Sequence, residues 1–381
     1  MLFQPPLPPK YAKLTPDEMV TAIRARKTAL GKRIVILGHH YQQDDVVQFA
    51  DFTGDSLKLS QLAAAQKDAE YVVFCGVHFM AESADILTDE CVTVILPDLS
   101  AGCSMADMAA IEQVEQAWDE IAAVTPATVV PITYVNSSAA VKAFVGGHDG
   151  ACCTSSNARS VLEWALAGGR PNQPDPNRKV MFLPDQHLGR NTADAMGWPL
   201  ESMVVWDPHQ PQGGLAAQQI ADAKFIMWKG HCSVHQLFSV KHVEIIRKAD
   251  PGCRILVHPE CAVDVVRLAD EVGSTEYIIN TLESAAPGSR WAVGTEVHLV
   301  HRLAERLKDR IAVRSLAGIQ CLCTTMYRID LRHLLWALDN LVEGQAVNVV
   351  RVDPETRALA RIALDRMLAL KARPLAQSLS D

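Results

Sequence analysis

Two rhythms of apolar and polar positions take turns along this chain. The first is helical. In "TPDEMVTAIRARKTALG" (residues 15–31) apolar residues recur at helical spacing, Thr15 stands where an N-cap belongs, Pro16 takes the first helical position and Gly31 supplies a stop. Beyond it, one order of elements repeats three times. Each round opens on a strand-like apolar run that ends in polar residues: "RIVILGHHYQ", "TVVPITYVNSS" and "RILVHPEC". An amphipathic helix follows ("DDVVQFADFTG", "AAVKAFVGG", "AVDVVRLADEVG"), and then a hydroxyl cluster ("GDS", "CTSSNA", "GST"). A second strand and helix come next: "YVVFCGVHFMAESADIL", "KVMFLPDQHLGRNTADAM", and "EYIINTLES" leading to "VGTEVHLVHRLAER". A last apolar strand closes each round on a cysteine: "VTVILPDLSAGCSM", "KFIMWKGHCSVH" and "IAVRSLAGIQCLC".

Strands alternating with helices predict parallel sheets covered on both faces. Three rounds predict an α/β fold of three α/β/α sandwich units with pseudo-threefold symmetry. The expected division is residues 1–31 as an N-terminal arm and helix, 32–120, 121–240 and 241–345 as the three units, and 346–381 as a C-terminal helix and tail. The middle unit carries an irregular insertion with a short strand near residues 197–214 and a Pro/Gly/Asn loop, "GGRPNQPDPNRK". "PETRALARIALDRMLALKA" predicts a final helix, and "PLAQSLSD" a frayed end. The polar residues fall at the same step of each round, the C-terminal end of a strand, where open α/β sheets place their ligand sites.

Composition narrows the function. The 381 residues are 49% hydrophobic and 21% charged, with a net charge of −8. That balance suits a soluble protein with a full core and gives no broad basic surface for nucleic acid or an anionic membrane. "MLFQPPLPPKYAK" lacks the apolar core of a signal peptide and reads as a loose Pro-rich arm. No apolar run is long enough to span a bilayer, so a cytoplasmic location is expected. Ten cysteines in a reducing compartment do not read as a disulfide framework.

If the strand ends face one another, Cys103, Cys232 and Cys323 converge. Three thiolates from distant segments suit an iron–sulfur cluster or zinc. Three ligands rather than four leave one iron open as a Lewis acid. Local spacing does not support this, because neither "CLC" at 321–323 nor "CC" at 152–153 is a common ligand pattern. On spacing alone, buried structural thiols are the default, and Cys75, Cys91, Cys152, Cys153, Cys253 and Cys261 keep that reading.

A set of motifs in order adds to this: "GHHYQ", "GDSLKLS", "GVHFMAE", "LPDLSAGCSMAD", "YVNSSAAVKA", "CTSSNA", "FLPDQHLGR", "WKGHCSVH", "HPEC", "VGST", "GTE" and "LLWALDN". From about Ile34 to Asn340 the chain resembles the quinolinate synthases, the NadA family. The resemblance implies a triangular fold of three α/β/α units and a 4Fe-4S cluster held by one cysteine per unit. It implies condensation of iminoaspartate with dihydroxyacetone phosphate to quinolinate, phosphate and water in de novo NAD biosynthesis. A further partner would be the L-aspartate oxidase or dehydrogenase that supplies iminoaspartate. The ligands fall on Cys103, Cys232 and Cys323, the last chosen over Cys321 by its register to Met326 and Leu331.

The same resemblance places Tyr41, Tyr134, His235 and Glu260 as catalytic residues, with Tyr41 gating the pocket and moving protons. Glu260 is the candidate general base, its pKa expected to rise toward neutrality in a closed pocket. Substrate contacts fall on His39, Ser56, Tyr134, Asn136, Ser155, His258, Glu260, Ser274 and Thr275. The hydroxyls among them also suit helix caps and anion-binding helix starts. Glu82 and Glu296 are assigned structural roles and Met326 a place beside the cluster. Two rival readings stand beside this one. A non-enzymatic iron–sulfur carrier or redox sensor would use a fourth ligand such as Cys321, and a zinc hydrolase would use His235, His258 and Glu260.

Overall fold

The structure, a computed structural model, describes residues 3–66, 69–168, 177–318 and 321–371. Residues 169–176 of the expected Pro/Gly/Asn loop and the whole of "PLAQSLSD" lie outside the described residues.

The first round of the sequence folds as β1 (Ile34–His39), β2 (Phe52–Gly54), β3 (Tyr71–Cys75) and β4 (Thr93–Ile95). The second gives β5 (Thr128–Tyr134), β6 (Ala151–Cys153), β7 (Arg178–Leu183), β8 (Met203–Trp206) and β9 (Phe225–Trp228). The third gives β10 (Cys253–Val257), β11 (Glu271–Val272), β12 (Arg290–Gly294) and β13 (Ala312–Ser315). A last strand, β14 (Val349–Val350), returns antiparallel to β4. The three sheets run β14-β4-β3-β1-β2, β6-β5-β7-β9-β8 and β11-β10-β12-β13. With the edge strands β8 and β14 set aside, each sheet is parallel and has one order: second strand, first, third, last. The threefold repeat read from the sequence is therefore present as topology. The insertion contributes β8, which lengthens one sheet by an edge strand, with Met203 opposite Phe225.

The helices start where the sequence supplies caps. Thr15 accepts from Glu18 N, and Glu18 Oε2 accepts from Thr15 N, a reciprocal pair that opens the helix Pro16–Leu30. Asp55, Ser138, Asp185, Ser274 and Asp330 each accept a backbone N–H of the helix that follows. Four of these caps come at strand-to-helix crossings, so the residue that ends a strand's loop also fixes the direction of the next helix.

The chain packs as two compact units. One runs to Cys103 and resumes over Leu322–Pro354, and it carries the first sheet. The other runs from Ser104 to Cys321, resumes at Glu355, and carries the second and third sheets. In the first unit the helices Pro16–Leu30 and Leu331–Val342 pack together, and Asp339 accepts from Arg26 Nε at 2.8 Å and Tyr11 Oη at 2.9 Å. In the second, Asn191 Nδ2 of the helix Gln186–Ala195 donates to Pro259 O at 2.7 Å and Cys261 O at 2.8 Å. Those bonds tie the middle round to the loop after β10. The C-terminal helix Pro354–Ala369 lies against the second round: Asn157 Nδ2 donates to Met367 O, and a Cβ at Gly146 would sit 2.0 Å from Leu359 O.

Three expectations need correction. "EYIINTLES" is not a strand but most of the helix Thr275–Ser284, with Ile278, Ile279 and Leu282 on its buried side. The strand of that round is β12. Two adjacent β-branched isoleucines suggested a strand, and the Ser274 cap decides for helix. Second, the helices read over "DDVVQFADFTG" and "AVDVVRLADEVG" stop at Val47 and Leu268, and their C-terminal parts form β2 and β11. Third, the N-terminal arm is docked. Tyr11 is buried, and Gln4 Oε1 accepts from Leu99 N and Asn348 Nδ2.

Candidate active site

Each sheet repeats one arrangement at the C-terminal end of its first strand. His39 ends β1 and Tyr41 follows two residues on; Tyr134 ends β5 and Asn136 follows; His258 comes directly after β10 and Glu260 follows. The hydroxyl clusters sit after the short second strands. Ser56 opens the helix Ser56–Ala64, Ser155 lies in the turn after β6, and Ser274 caps the helix that Thr275 begins. Parallel strands present their C-terminal ends on one edge of a sheet, so these side chains share an edge within each sheet.

In the second unit six of the expected residues come together. His235 Nδ1 lies 2.8 Å from Glu260 Oε2, and Nε2 lies 3.1 Å from Thr295 Oγ1. The His258 ring stacks on His235 with centroids 4.5 Å apart, and its Nε2 lies 3.3 Å from Ser155 Oγ. Tyr134 bonds to Glu260 through its hydroxyl. Cys232 Sγ belongs to the same cluster, with His235 and Glu260. All but Cys232 are buried. Asn136 Oδ1 is buried and has no partner among the described residues, so an acceptor remains for an incoming N–H.

Electrostatics corrects the Glu260 expectation. Burial pushes its carboxyl up, but His235 and His258, with the hydrogen bonds from His235 and Tyr134, outweigh it and hold Glu260 at about 2. Glu260 is thus an ionised carboxylate in a nest of donors, not a neutral acid. His258 goes the other way: burial, then the neighbouring His235, lower it to about 3, so its ring is neutral.

In the first unit His39 is buried, and its Nδ1 accepts from Tyr41 N at 3.1 Å. The Tyr41 ring stands edge-on to it at 4.8 Å. Cys103 and Cys323 also lie in this unit, and Cys323 Sγ is 3.6 Å from Thr325 Oγ1. Met326 is buried, and its carbonyl accepts from Gln42 Nε2 at 3.1 Å. Glu82 lies 3.7 Å from His78 one turn before it. Glu296 is fully buried and caps its own helix, Val297–Leu307, by accepting from His298 N and Leu299 N.

The ten cysteines sort by exposure. Cys75, Cys152, Cys153, Cys253, Cys261 and Cys321 are buried, Cys91 is exposed, and Cys103, Cys232 and Cys323 are half-buried. Burial pushes Cys75 and Cys152 up to about 12, Cys321 up to about 11, and Cys153 and Cys261 well above the ordinary thiol value. Burial thus favours the protonated thiol in those five.

Sequence reasoning missed Asp185 and its surroundings. Asp185 is fully buried; its Oδ1 accepts from Leu188 N at 2.6 Å, and the Cys232 N–H also bonds to it. Gln186 N donates to Gly230 O at 3.0 Å. A Cβ on Gly230 would meet Pro184 O at 2.2 Å, so only glycine allows this approach. The loop before Cys232 is therefore clamped by "PDQ". The available signal was an acidic residue at the end of a buried strand.

The family profile described as Quinolinate synthetase A protein matches residues 21–369. The chain belongs to the quinolinate synthetase A family. Relatives named quinolinate synthase include one from Nocardioides sp., 56% identical over 93% of this chain and 90% of its own length. One from Streptomyces coelicolor is 56% identical over 93% of this chain and 88% of its own. One from Anoxybacillus flavithermus is 54% identical over 95% and 96%. Membership carries the activity: the chain is an enzyme that makes quinolinate in NAD biosynthesis. The carrier or sensor reading has no support from these relatives. No helix among the described residues is long and apolar enough to cross a membrane.

Proposed function

We propose that the enzyme condenses iminoaspartate with dihydroxyacetone phosphate to quinolinate, phosphate and water, using a 4Fe-4S cluster held by Cys103, Cys232 and Cys323. One observation carries the cofactor reading. The three cysteines that the family motifs single out are the ones that are neither buried nor fully exposed. An accessible thiol can become the thiolate that a cluster needs, and a buried one cannot without cost. Cys321, two residues from Cys323, is on the wrong side of that divide. When bound, a cluster with three protein ligands offers an open iron as a Lewis acid toward a substrate oxygen.

The protein's own groups supply the rest. The reaction has no net redox step; it needs proton transfers and the loss of phosphate and two waters. Ionised Glu260 can take a proton, and His235 at 2.8 Å can pass it on. Tyr134, bonded to Glu260, would return one. Tyr41 is the proposed proton-transfer and gating residue of the first unit. The His258–Ser155 pair, Asn136, His39 and the helix starts at Ser56, Ser274 and Thr275 would hold carboxylates and phosphate. Neutral donors at helix N-termini bind anions without a cluster of arginines.

The division into three units over 32–120, 121–240 and 241–345, each bringing one first-strand end and one hydroxyl cluster, belongs to this proposal. So do the supply of iminoaspartate by an L-aspartate oxidase or dehydrogenase and a cytoplasmic location.

The test is quinolinate formation from the two substrates by anaerobically prepared protein. Tyr41→Phe and Glu260→Gln should each lower turnover by about 100-fold or more. Variants that work like the parent would defeat the assignment of these residues.

A further inference from the structure

Cys232, His235 and Glu260 have the makings of a second kind of site. One atom from each, the sulfur, a ring nitrogen and a carboxylate oxygen, lies within 4.8 Å of the other two. Ligands held about 2.0–2.3 Å from one zinc ion stand roughly 3–4 Å apart. The three need to close by only about 1 Å to share an ion. His235 Nδ1 and Glu260 Oε2, 2.8 Å apart, need only open slightly for the ion to replace their hydrogen bond.

The surroundings complete what a metal site requires. His235 Nε2 has Thr295 Oγ1 at 3.1 Å. A ring proton on Nε2 donated to that hydroxyl leaves the Nδ1 lone pair for an ion, the usual support for a ligating histidine. The Tyr134 hydroxyl bonds to Glu260 and orients its carboxylate. Cys232 is half-buried while His235 and Glu260 are buried, so the cysteine is the most exposed of the three.

We propose that whenever Cys232 is not engaged by the cluster, Cys232, His235 and Glu260 bind one zinc-class divalent ion, with water as the fourth ligand. This rests on the reading of Cys232 as a cluster ligand. A thiolate, an imidazole and a carboxylate together suit zinc or cobalt, not calcium or magnesium. The short contact between Nδ1 and Oε2 is bridged by a proton in the ion-free protein, with Nε2 accepting from Thr295. On binding, the ion takes that position, the ring proton moves to Nε2, the Thr295 hydroxyl turns to accept it, and the Cys232 thiol proton leaves to solvent. The loaded protein has one cluster thiolate occupied and cannot complete its cluster. The site is an off-state of the unassembled enzyme.

Cobalt(II) is the probe, added anaerobically to protein prepared without iron. The expected result is one equivalent bound, with the visible bands of four-coordinate cobalt and a thiolate-to-cobalt charge-transfer band. Against a coloured chelator, His235→Ala and Glu260→Gln should each weaken binding at least about tenfold, and Thr295→Val, which keeps all three ligands, should weaken it several-fold. Far-ultraviolet circular dichroism checks that each variant is folded. Cys103→Ser and Cys323→Ser should bind as the parent does. Loss of binding in those two, with His235→Ala unaffected, would put the ion on the three thiols and overturn the proposal. A missing charge-transfer band would overturn it too. Iron and sulfide in reconstituted parent protein are measured separately. Protein that binds cobalt as expected but never builds a cluster sinks the cluster reading alone. Protein that builds a cluster yet binds cobalt regardless of His235 and Glu260 sinks the ion site alone.

Discussion

His235 Nδ1 lies 2.8 Å from Glu260 Oε2, with the two side chains 1% and 3% exposed. A carboxylate that deep is stable only because its neighbours are donors. Glu260→Gln keeps the shape and most of the hydrogen bonds but removes the base. The expected loss of quinolinate formation is about 100-fold or more, with substrate affinity far less changed. Steady-state kinetics under anaerobic conditions read both numbers. A loss confined to KM would make Glu260 a binding residue only.

His187 makes stability depend on acid. Burial is the largest cause holding its imidazole at about 4, below the ordinary value of 6.5. As pH falls, the unfolded chain takes up this proton near 6.5, but the folded protein does not until about 4. Stability from the neutral ring is therefore complete above 6.5 and lost between 6.5 and 4, on the order of 3 kcal/mol in all. His187→Gln should flatten that part of the curve. Urea unfolding of iron-free protein at several pH values measures it, and an unchanged slope would show that other groups set it.

The cysteines should divide as their exposure does. Cys103→Ser, Cys232→Ser and Cys323→Ser are each expected to abolish detectable turnover. Cys321→Ala should keep turnover near the parent's and lose roughly 1 kcal/mol of stability from its small cavity. Activity assays and thermal melts on the four proteins decide it.

Gly230 should tolerate nothing larger. Alanine there would drive a Cβ to 2.2 Å from Pro184 O, and the obstacle is backbone, not the movable end of a side chain. Gly230→Ala should cost about 1–3 kcal/mol and, by displacing the Cys232 loop from Asp185, lower the iron bound per chain. Normal iron content in a folded Gly230→Ala protein would show that the loop has more slack than the contact implies.

Much of this was legible in the residues because it was repeated. Three buried apolar runs ending in polar residues marked the first strand of each sheet, and the caps Thr15 and Ser274 marked helix starts. The short strands β2 and β11 were not legible: at two or three residues they carry no period of their own and exist only because β1 and β10 lie beside them. "EYIINTLES" misled through β-branched residues whose helical spacing was the stronger signal. At the site, residue types showed which groups take part, but not the charge of Glu260. That depends on two histidines and a tyrosine brought to it by the fold. Asp185 was hidden because its partner is the backbone of a residue far along the chain.

A cluster held by three cysteines is central to the proposed reaction. The most direct measurement is iron and acid-labile sulfide per chain in protein purified and reconstituted without oxygen, followed by quinolinate formation on the same sample. About four iron and four sulfide, with quinolinate appearing from iminoaspartate and dihydroxyacetone phosphate, is the expected result. Folded protein that takes up no iron and sulfide after reconstitution, or that makes quinolinate equally well without them, would contradict it.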